Sequence, residues 1–232
     1  LRTQASSIKQ SISNANSAVS LLQIADKAMA EQSNILDIVK TKLIQAKTST
    51  TSTDGREAIK NDIQKLLTQL DMIASQTNYN GVSLLQGSTA TATATGTAPL
   101  TFQVGELSGN TITSLTAHAN TAALSMTVLK GLGAAALTAS MAGLNMANVD
   151  SALTSLNTTR SNFGSVQNQL ESATRNMMTT HTNIKAAESV IRDVDYATES
   201  ANFNKQNIIS QAGTYALSQA NQVQQNILRL LQ

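Results

Sequence analysis

Apolar residues recur every three or four positions over the last third of the chain, from about Leu144 to Leu231. They are Val149, Leu153, Leu156, Phe163, Val166, Leu170, Ala173, Met177, Ile184, Ile191 and Val194. At helical periodicity this spacing draws one apolar stripe, about a third of the circumference wide. The stretch holds no proline and two glycines, Gly164 and Gly213. The pattern outlasts the roughly 8–20 residues of an ordinary globular helix, which predicts a coiled coil or a rod. Such a helix cannot cover its own stripe, so the question of function starts as a question of partners.

Residues 1–48 carry a second pattern of the same kind, through Ile8, Ile12, Ala15, Val19, Leu22, Ala25, Met29, Leu36, Val39, Leu43 and Ala46. The polar run from Thr48 to Thr53 ends it, because β-branched hydroxyl residues are poor helix formers. Asp54-Gly55-Arg56-Glu57 reads as an N-cap with a glutamate three residues on. A helix is predicted from there to about Ser75, with Ile59, Ile63, Leu66, Leu70 and Ile73 on one face. The short connection predicts that it folds back antiparallel on the first.

The middle of the chain loses helical periodicity. Asn78-Tyr79-Asn80-Gly81 is a turn signal, since asparagine and glycine tolerate positive φ. A Thr/Ala run from Gly87 to Thr97 has little reason to choose one conformation. After the single proline, Pro99, Leu100–Val104 and Thr111–Leu115 alternate apolar and polar around Ser108-Gly109-Asn110, which predicts a β-hairpin. Residues 117–143 are ambiguous, with strand open for Leu124–Leu129 and helix for Ala134–Ala136. The fold class expected is mainly α: a long antiparallel helical bundle or coiled-coil rod with a small β-hairpin region. Its segments are 1–86, 87–143, 144–195 and 196–232.

The carboxy-terminal stretch changes character near Ile191–Asp195. The last acidic residue is Glu199, and beyond it the only charges are Lys205 and Arg229. Glutamine, asparagine and alanine there carry a stripe of Ile208, Ala212, Tyr215, Ala216, Val223, Ile227, Leu230 and Leu231. A nearly uncharged amphipathic helix is suited to burial among copies of itself. These eight residues are the candidate subunit interface. Val19, Leu22, Met29, Leu36, Leu153, Leu170 and Ile184 are the candidate core of the bundle.

Composition narrows the function further. Aromatics are 3% with no tryptophan, which suits thin helix-on-helix layers rather than a thick core. The net charge is +2, and no basic stripe with interleaved aromatics exists, which argues against nucleic-acid binding. No run of eighteen apolar residues is present to span a membrane. No basic n-region leads into an apolar h-region, so no cleavable secretory signal is read in these residues. The chain begins at Leu1 and is helical at once, which carries the expectation that an amino-terminal segment is missing.

Candidate chemistry is sparse. There is no cysteine, and His118 and His181 lie in different segments. His181 falls in the apolar stripe and reads as a packed or boundary histidine rather than a ligand. No His-Glu-x-x-His stretch and no nucleophile–base–acid set is present. Asp193 and Asp195 are two apart, so on a helix they point to different faces; they read as solvated charges, one pairing with Arg192. The methionines read as core fillers. Neither catalysis, cofactor nor metal is expected.

Three segments together resemble bacterial flagellin. The first is Asn14-Ala15-Asn16-Ser17-Ala18-Val19-Ser20-Leu21-Leu22-Gln23, followed by Ala28-Met29. The second is Gln76-Thr77-Asn78-Tyr79-Asn80-Gly81-Val82-Ser83-Leu84-Leu85. The third runs from Ala186 to Tyr196, then Gln211-Ala212-Gly213, Ser218-Gln219-Ala220-Asn221-Gln222 and the closing Leu228-Arg229-Leu230-Leu231. Their order, at opposite ends of a helix–hairpin–helix chain, gives the match its weight over about 1–116 and 144–232.

The resemblance implies a structural subunit of the extracellular motility filament, a helical homopolymer whose terminal helices line an inner tube. It implies export through the flagellar channel, with an export chaperone and cap and junction proteins as partners. It also implies that about fifty amino-terminal residues of the family are absent, and that 87–143 replaces larger outer domains. Flagellins that strongly activate the flagellin-sensing Toll-like receptor carry an arginine-rich segment in this first helix and a glutamate on the next. Here Ile38 stands where an arginine is expected, Lys40 replaces a second, with Lys42 beside it, and Asp62 stands for the glutamate. Weak recognition by the receptor is therefore expected. The alternatives are a hook–filament junction protein, or a non-flagellar signalling coiled coil with unbroken heptads and no hairpin.

Overall fold

The structure is a computed structural model and describes residues 1–86, 99–115, 117–132 and 137–230, the side chains of 228–230 excepted. The elements in order are α1 (Arg2–Lys47), α2 (Thr53–Gln76), β1 (Asn78–Tyr79), β2 (Val82–Ser83), β3 (Thr101–Gln103) and β4 (Thr111–Thr113). Then come α3 (Thr127–Lys130), α4 (Ala139–Arg192) and α5 (Tyr196–Leu230). The chain divides into two compact units, residues 2–184 and residues 185 onward together with Leu1. This division falls eleven residues before the 195/196 boundary expected from composition.

In the first unit, α1 stops where the hydroxyl run begins, and α2 starts behind it. The cap is Ser52, whose Oγ accepts from the Gly55 N–H at 3.1 Å. Asp54, expected as the cap, instead lies in the first turn of α2, where its charge suits the helix dipole. Serine wins because it sits in extended backbone one residue before the helix, which aims its oxygen at the free N–H groups. Arg56 then locks the corner, donating from Nε to the Ala46 carbonyl at 2.9 Å and from Nη2 to the Thr48 carbonyl at 3.2 Å.

Cross-helix contacts fix the direction of packing. Lys42 meets Asp62 and Gln32 meets the Leu70 carbonyl, so rising numbers on α1 face falling numbers on α2. Arg160 bonds Asp26 and Lys40 bonds Asp150, which sets α4 antiparallel to α1 as well. Between these pairs the stripes close on one another. Leu22, Met29, Leu36, Val39 and Leu43 of α1 are buried with Ile63, Leu67 and Leu70 of α2 and Val149, Leu156, Phe163 and Leu170 of α4. Each such side chain contributes about 1.5–3 kcal/mol by leaving water.

Of the expected core set, Leu22, Met29, Leu36 and Leu170 are fully buried. Val19, Leu153 and Ile184 are half-buried and pack at its margin. On α2 the buried face is Ile59, Ile63, Leu67, Leu70 and Ala74, and the expected Leu66 and Ile73 lie at its edge. The interior of α1 also contains Gln32, fully buried. Its Nε2 donates to the carbonyls of Leu70 at 3.1 Å and Ala119 at 2.8 Å, while its Oε1 is buried without a partner among the described residues.

Two hairpins follow α2. Tyr79 pairs with Val82 across Asn80 (φ 51°) and Gly81 (φ 79°). Two positive φ values in succession make the I′ turn that matches strand twist, which the Asn-Gly pair allows without strain. The expected hairpin after Pro99 is present, antiparallel with Phe102 opposite Ile112. Leu124–Leu129 is not a strand: Leu124 and Ser125 lie in turns, and Thr127 opens the single helical turn α3. The helical reading of Ala134–Ala136, and the whole Thr/Ala run from Gly87 to Thr97, lie outside the described residues.

Side chains of α2 hold residues 117–132 in place of a ladder. Asp71 accepts from the Thr121 N–H at 2.7 Å, from Thr121 Oγ1 at 2.8 Å and from Lys130 Nζ. Gln64 Nε2 donates to the carbonyls of Lys130 at 3.2 Å and Leu132 at 3.0 Å. A segment with little sequence periodicity thereby acquires one conformation, and Ala117, Ala119, Leu124, Met126 and Leu129 complete the core.

Candidate assembly interface

The second unit is built on other terms. α4 ends at Arg192, three residues are non-helical, and α5 begins at Tyr196. Asp193 and Asp195 are thus outside both helices, contrary to the helical placement expected for them. Asp195 caps α5: Oδ1 accepts from the N–H groups of Ala197 at 3.0 Å and Thr198 at 3.3 Å, and Oδ2 accepts from Thr198 Oγ1 at 3.0 Å. The Thr198 hydroxyl first, then the Thr198 and Ala197 N–H groups, hold its carboxyl below the ordinary aspartate value. Arg192 pairs with Glu188 at 3.7 Å rather than with either aspartate, and Asp193 accepts from Ser189 Oγ.

Along α5 the expected interface residues share one face. At roughly 100° per residue, Ile208, Ala212, Tyr215, Ala216, Val223 and Ile227 fall within a third of the circumference. Every one of them is exposed: Ile208 at 66%, Tyr215 at 75% and Ile227 at 52%. Ile209 belongs to the same stripe by its angle and was missed because it directly follows Ile208. Phe203 and Leu217 are also exposed but point elsewhere. The side chain of Leu230 and all of Leu231 lie outside the described residues. Exposed apolar surface of this length marks an interaction surface more often than a free one.

The candidate receptor region sits between α1 and α2. Ile38, Lys42 and Asp62, with Lys65, Leu66 and Gln69, line an open groove of about 310 Å³. Ile38 is 48% exposed. Lys42 pairs with Asp62 at 3.0 Å, and Lys40 is engaged by Asp150. His118, between β4 and α3, and His181, in α4, are both half-buried. Among the described residues no three His, Asp or Glu side chains gather as metal ligands, and no helix is long and apolar enough to cross a membrane.

Residues 1–90 match the bacterial flagellin N-terminal helical region, and residues 146–231 match the bacterial flagellin C-terminal helical region. The chain is 33% identical to the flagellin of Bacillus subtilis in an alignment covering 100% of this chain and 83% of that protein. It is 56% identical to flagellin A of Helicobacter pylori over 44% of this chain, a stretch that spans only 19% of that relative. The crystal structure of Bacillus cereus flagellin superposes with a TM-score of 0.59 at 28% identity, over 76% of this chain and 94% of that one. With both helical ends matched in order, and a mainly α fold to carry them, the chain belongs to the bacterial flagellin family, the structural subunits of flagellar filaments.

Proposed function

We propose that this chain is a filament subunit that polymerises through α5. The observation carrying this reading is the apolar face of α5, exposed in all its described positions from Ile208 to Ile227. Residues 1–86 and 144–195 form the body of the subunit in this reading. Residues 117–132 complete that body, and 196–232 is the inner-tube helix that packs on its copies. Burying several large side chains per subunit supplies the driving force, and with Lys205 and Arg229 the only charges after Glu199 little desolvation cost opposes it. The assembled subunit lies outside the cell. Its other partners are those of the family: an export chaperone, and the cap and junction proteins at the filament's ends.

The test is polymerisation of the intact protein, followed by sedimentation and negative-stain microscopy. Wild type is expected to form helical filaments. Ile208→Asp with Val223→Asp is expected to abolish them while leaving the melting of the body unchanged. Filaments from the double variant would refute α5 as the polymerising helix, and a failure of the wild type to grow alone would favour a junction protein. A weak Toll-like receptor interaction is the lesser part of the proposal. It is supported by Ile38 standing where a guanidinium is expected, and by Lys40 and Lys42 already being paired within the subunit.

A further inference from the structure

The chain breaks between α4 and α5 without a helix breaker. No proline or glycine lies between Ser165 and Ala212, yet Asp193, Val194 and Asp195 are not helical. Tertiary packing does not impose the break either, since Val190, Ile191, Val194 and Tyr196 on both sides of it are exposed. Local hydrogen bonds close each helix end on itself. The Asp193 N–H donates to the Ser189 carbonyl at 2.8 Å, and the Asp193 carboxylate accepts from Ser189 Oγ. Across Val194, the Asp195 carboxylate takes the first free N–H groups of α5, and its carbonyl accepts from the Glu199 N–H at 2.9 Å.

We propose that Asp195 keeps the α4–α5 joint open as a swivel, and that without its side-chain acceptor the two helices fuse into one. The competition is between two ways of satisfying the same N–H groups. In an unbroken helix the amides of Ala197 and Thr198 would bond carbonyls four residues back. Aspartate offers them a carboxylate instead, and is itself a poor interior helix residue. Removing the acceptor leaves only the helical solution, which the nearby alanines and arginine favour. The joint's use rests on the polymer reading, because a swivel lets α5 take the direction its neighbours require. Its existence does not.

The charged and titratable groups flanking the joint in sequence are Lys185, Glu188 and Arg192 at the end of α4, Asp193 within the break, and Tyr196 and Glu199 in the first turn of α5. The bonds from Thr198 and Ala197 lower the Asp195 carboxyl, so the extra strength that its charge gives the cap is fully present above the ordinary value of 3.8 and is lost as pH falls through the lowered one, leaving a neutral oxygen acceptor as in asparagine.

Because the chain has no cysteine, two nitroxide labels can be placed cleanly at Ala187→Cys and Gln211→Cys, both exposed. An unbroken helix separates these sites by about 36 Å at 1.5 Å per residue. Pulsed electron paramagnetic resonance on unassembled full chain is expected to give a broad distribution for wild type, and for Asp195→Asn, which retains the acceptor. Asp195→Leu should collapse it to a narrow peak near 36 Å, about the unbroken-helix length. A narrow peak there in wild type, or no change with Asp195→Leu, overturns the proposal. The measurement needs no filament, so it stands or falls apart from polymerisation.

Discussion

The helices α4 and α5 use one alphabet, with isoleucine, leucine, valine and alanine on a polar ground of serine, threonine, asparagine and glutamine. On α4 the stripe from Val149 to Met177 is buried apart from the half-buried Leu153 and Ala173; on α5 every residue from 201 to 227 is exposed. The difference lies in what comes opposite. α4 faces α1 in the same chain, aligned by Arg160 on Asp26 and by Lys40 on Asp150. Periodicity along one helix therefore reports a face that needs cover, and says nothing of whose surface covers it. Where no described residue of the chain covers it, the same pattern is left exposed.

The largest test of this contrast is amide exchange in dilute, unassembled protein. Amides of α4 near Leu156–Leu170 should open only with the whole body, whereas those of α5 past Ser200 should exchange after local fraying. For a body stable by about 5 kcal/mol the two differ by over a thousandfold. Equal protection along α5 would mean that the chain covers it after all.

Side-chain deletion gives the next effect. Leu170 is fully buried, so Leu170→Ala should cost roughly 2–5 kcal/mol in urea melts, through lost transfer energy and the cavity left behind. A change under about half a kcal/mol would show that Leu170 is not packed inside a bundle. Smaller is Asp71→Ala, which frees residues 121–130 from α2. A loss of about 1–3 kcal/mol is expected, because the Thr121 N–H and the Lys130 ammonium lose their acceptor. Exchange should quicken at Thr121–Lys130 and stay slow in the middle of α4; a uniform loss would show that Asp71 supports the whole body.

Much of this architecture was legible in spacing. The three long helices, the hairpin after Pro99 and the corner at 48–53 follow from periodicity and from residues that break it. What was not legible depended on contacts far apart in sequence. Asp71 lies 50 residues from Thr121 and 59 from Lys130, so its role has no local signature, and residues 117–132 read as ambiguous. Gln32 had a faint one. The α1 stripe steps from Met29 to Leu36 with a gap where an apolar residue belongs, and a glutamine fills it because two carbonyls await its amide. The cap of α2 was misassigned because Ser52 and Asp54 both suit the task and only backbone conformation separates them. Asp195 read as a solvated helical charge because the change in composition near Ile191–Asp195 comes without a proline or glycine to end α4.

The smallest expected effect is the most discriminating. Ile208→Ala deletes apolar side-chain atoms, as Leu170→Ala does, but from a position 66% exposed. In dilute monomer its removal leaves no cavity and returns little surface to water, so melts should shift by less than about 0.5 kcal/mol. The slight gain in helix propensity from alanine acts in the opposite direction and makes a net change near zero. Under assembly conditions the same atoms become buried, and their loss recurs at every subunit. The critical concentration for growth should then rise about tenfold or more, since 1.4 kcal/mol is a factor of ten and a buried isoleucine supplies at least that much. A destabilised monomer would show Ile208 already packed within its own chain. An unchanged critical concentration would move the interface to another face of α5, with Phe203 and Leu217 next to be tried. Only a silent monomer joined to a failing polymer fits a stripe whose cover is another copy.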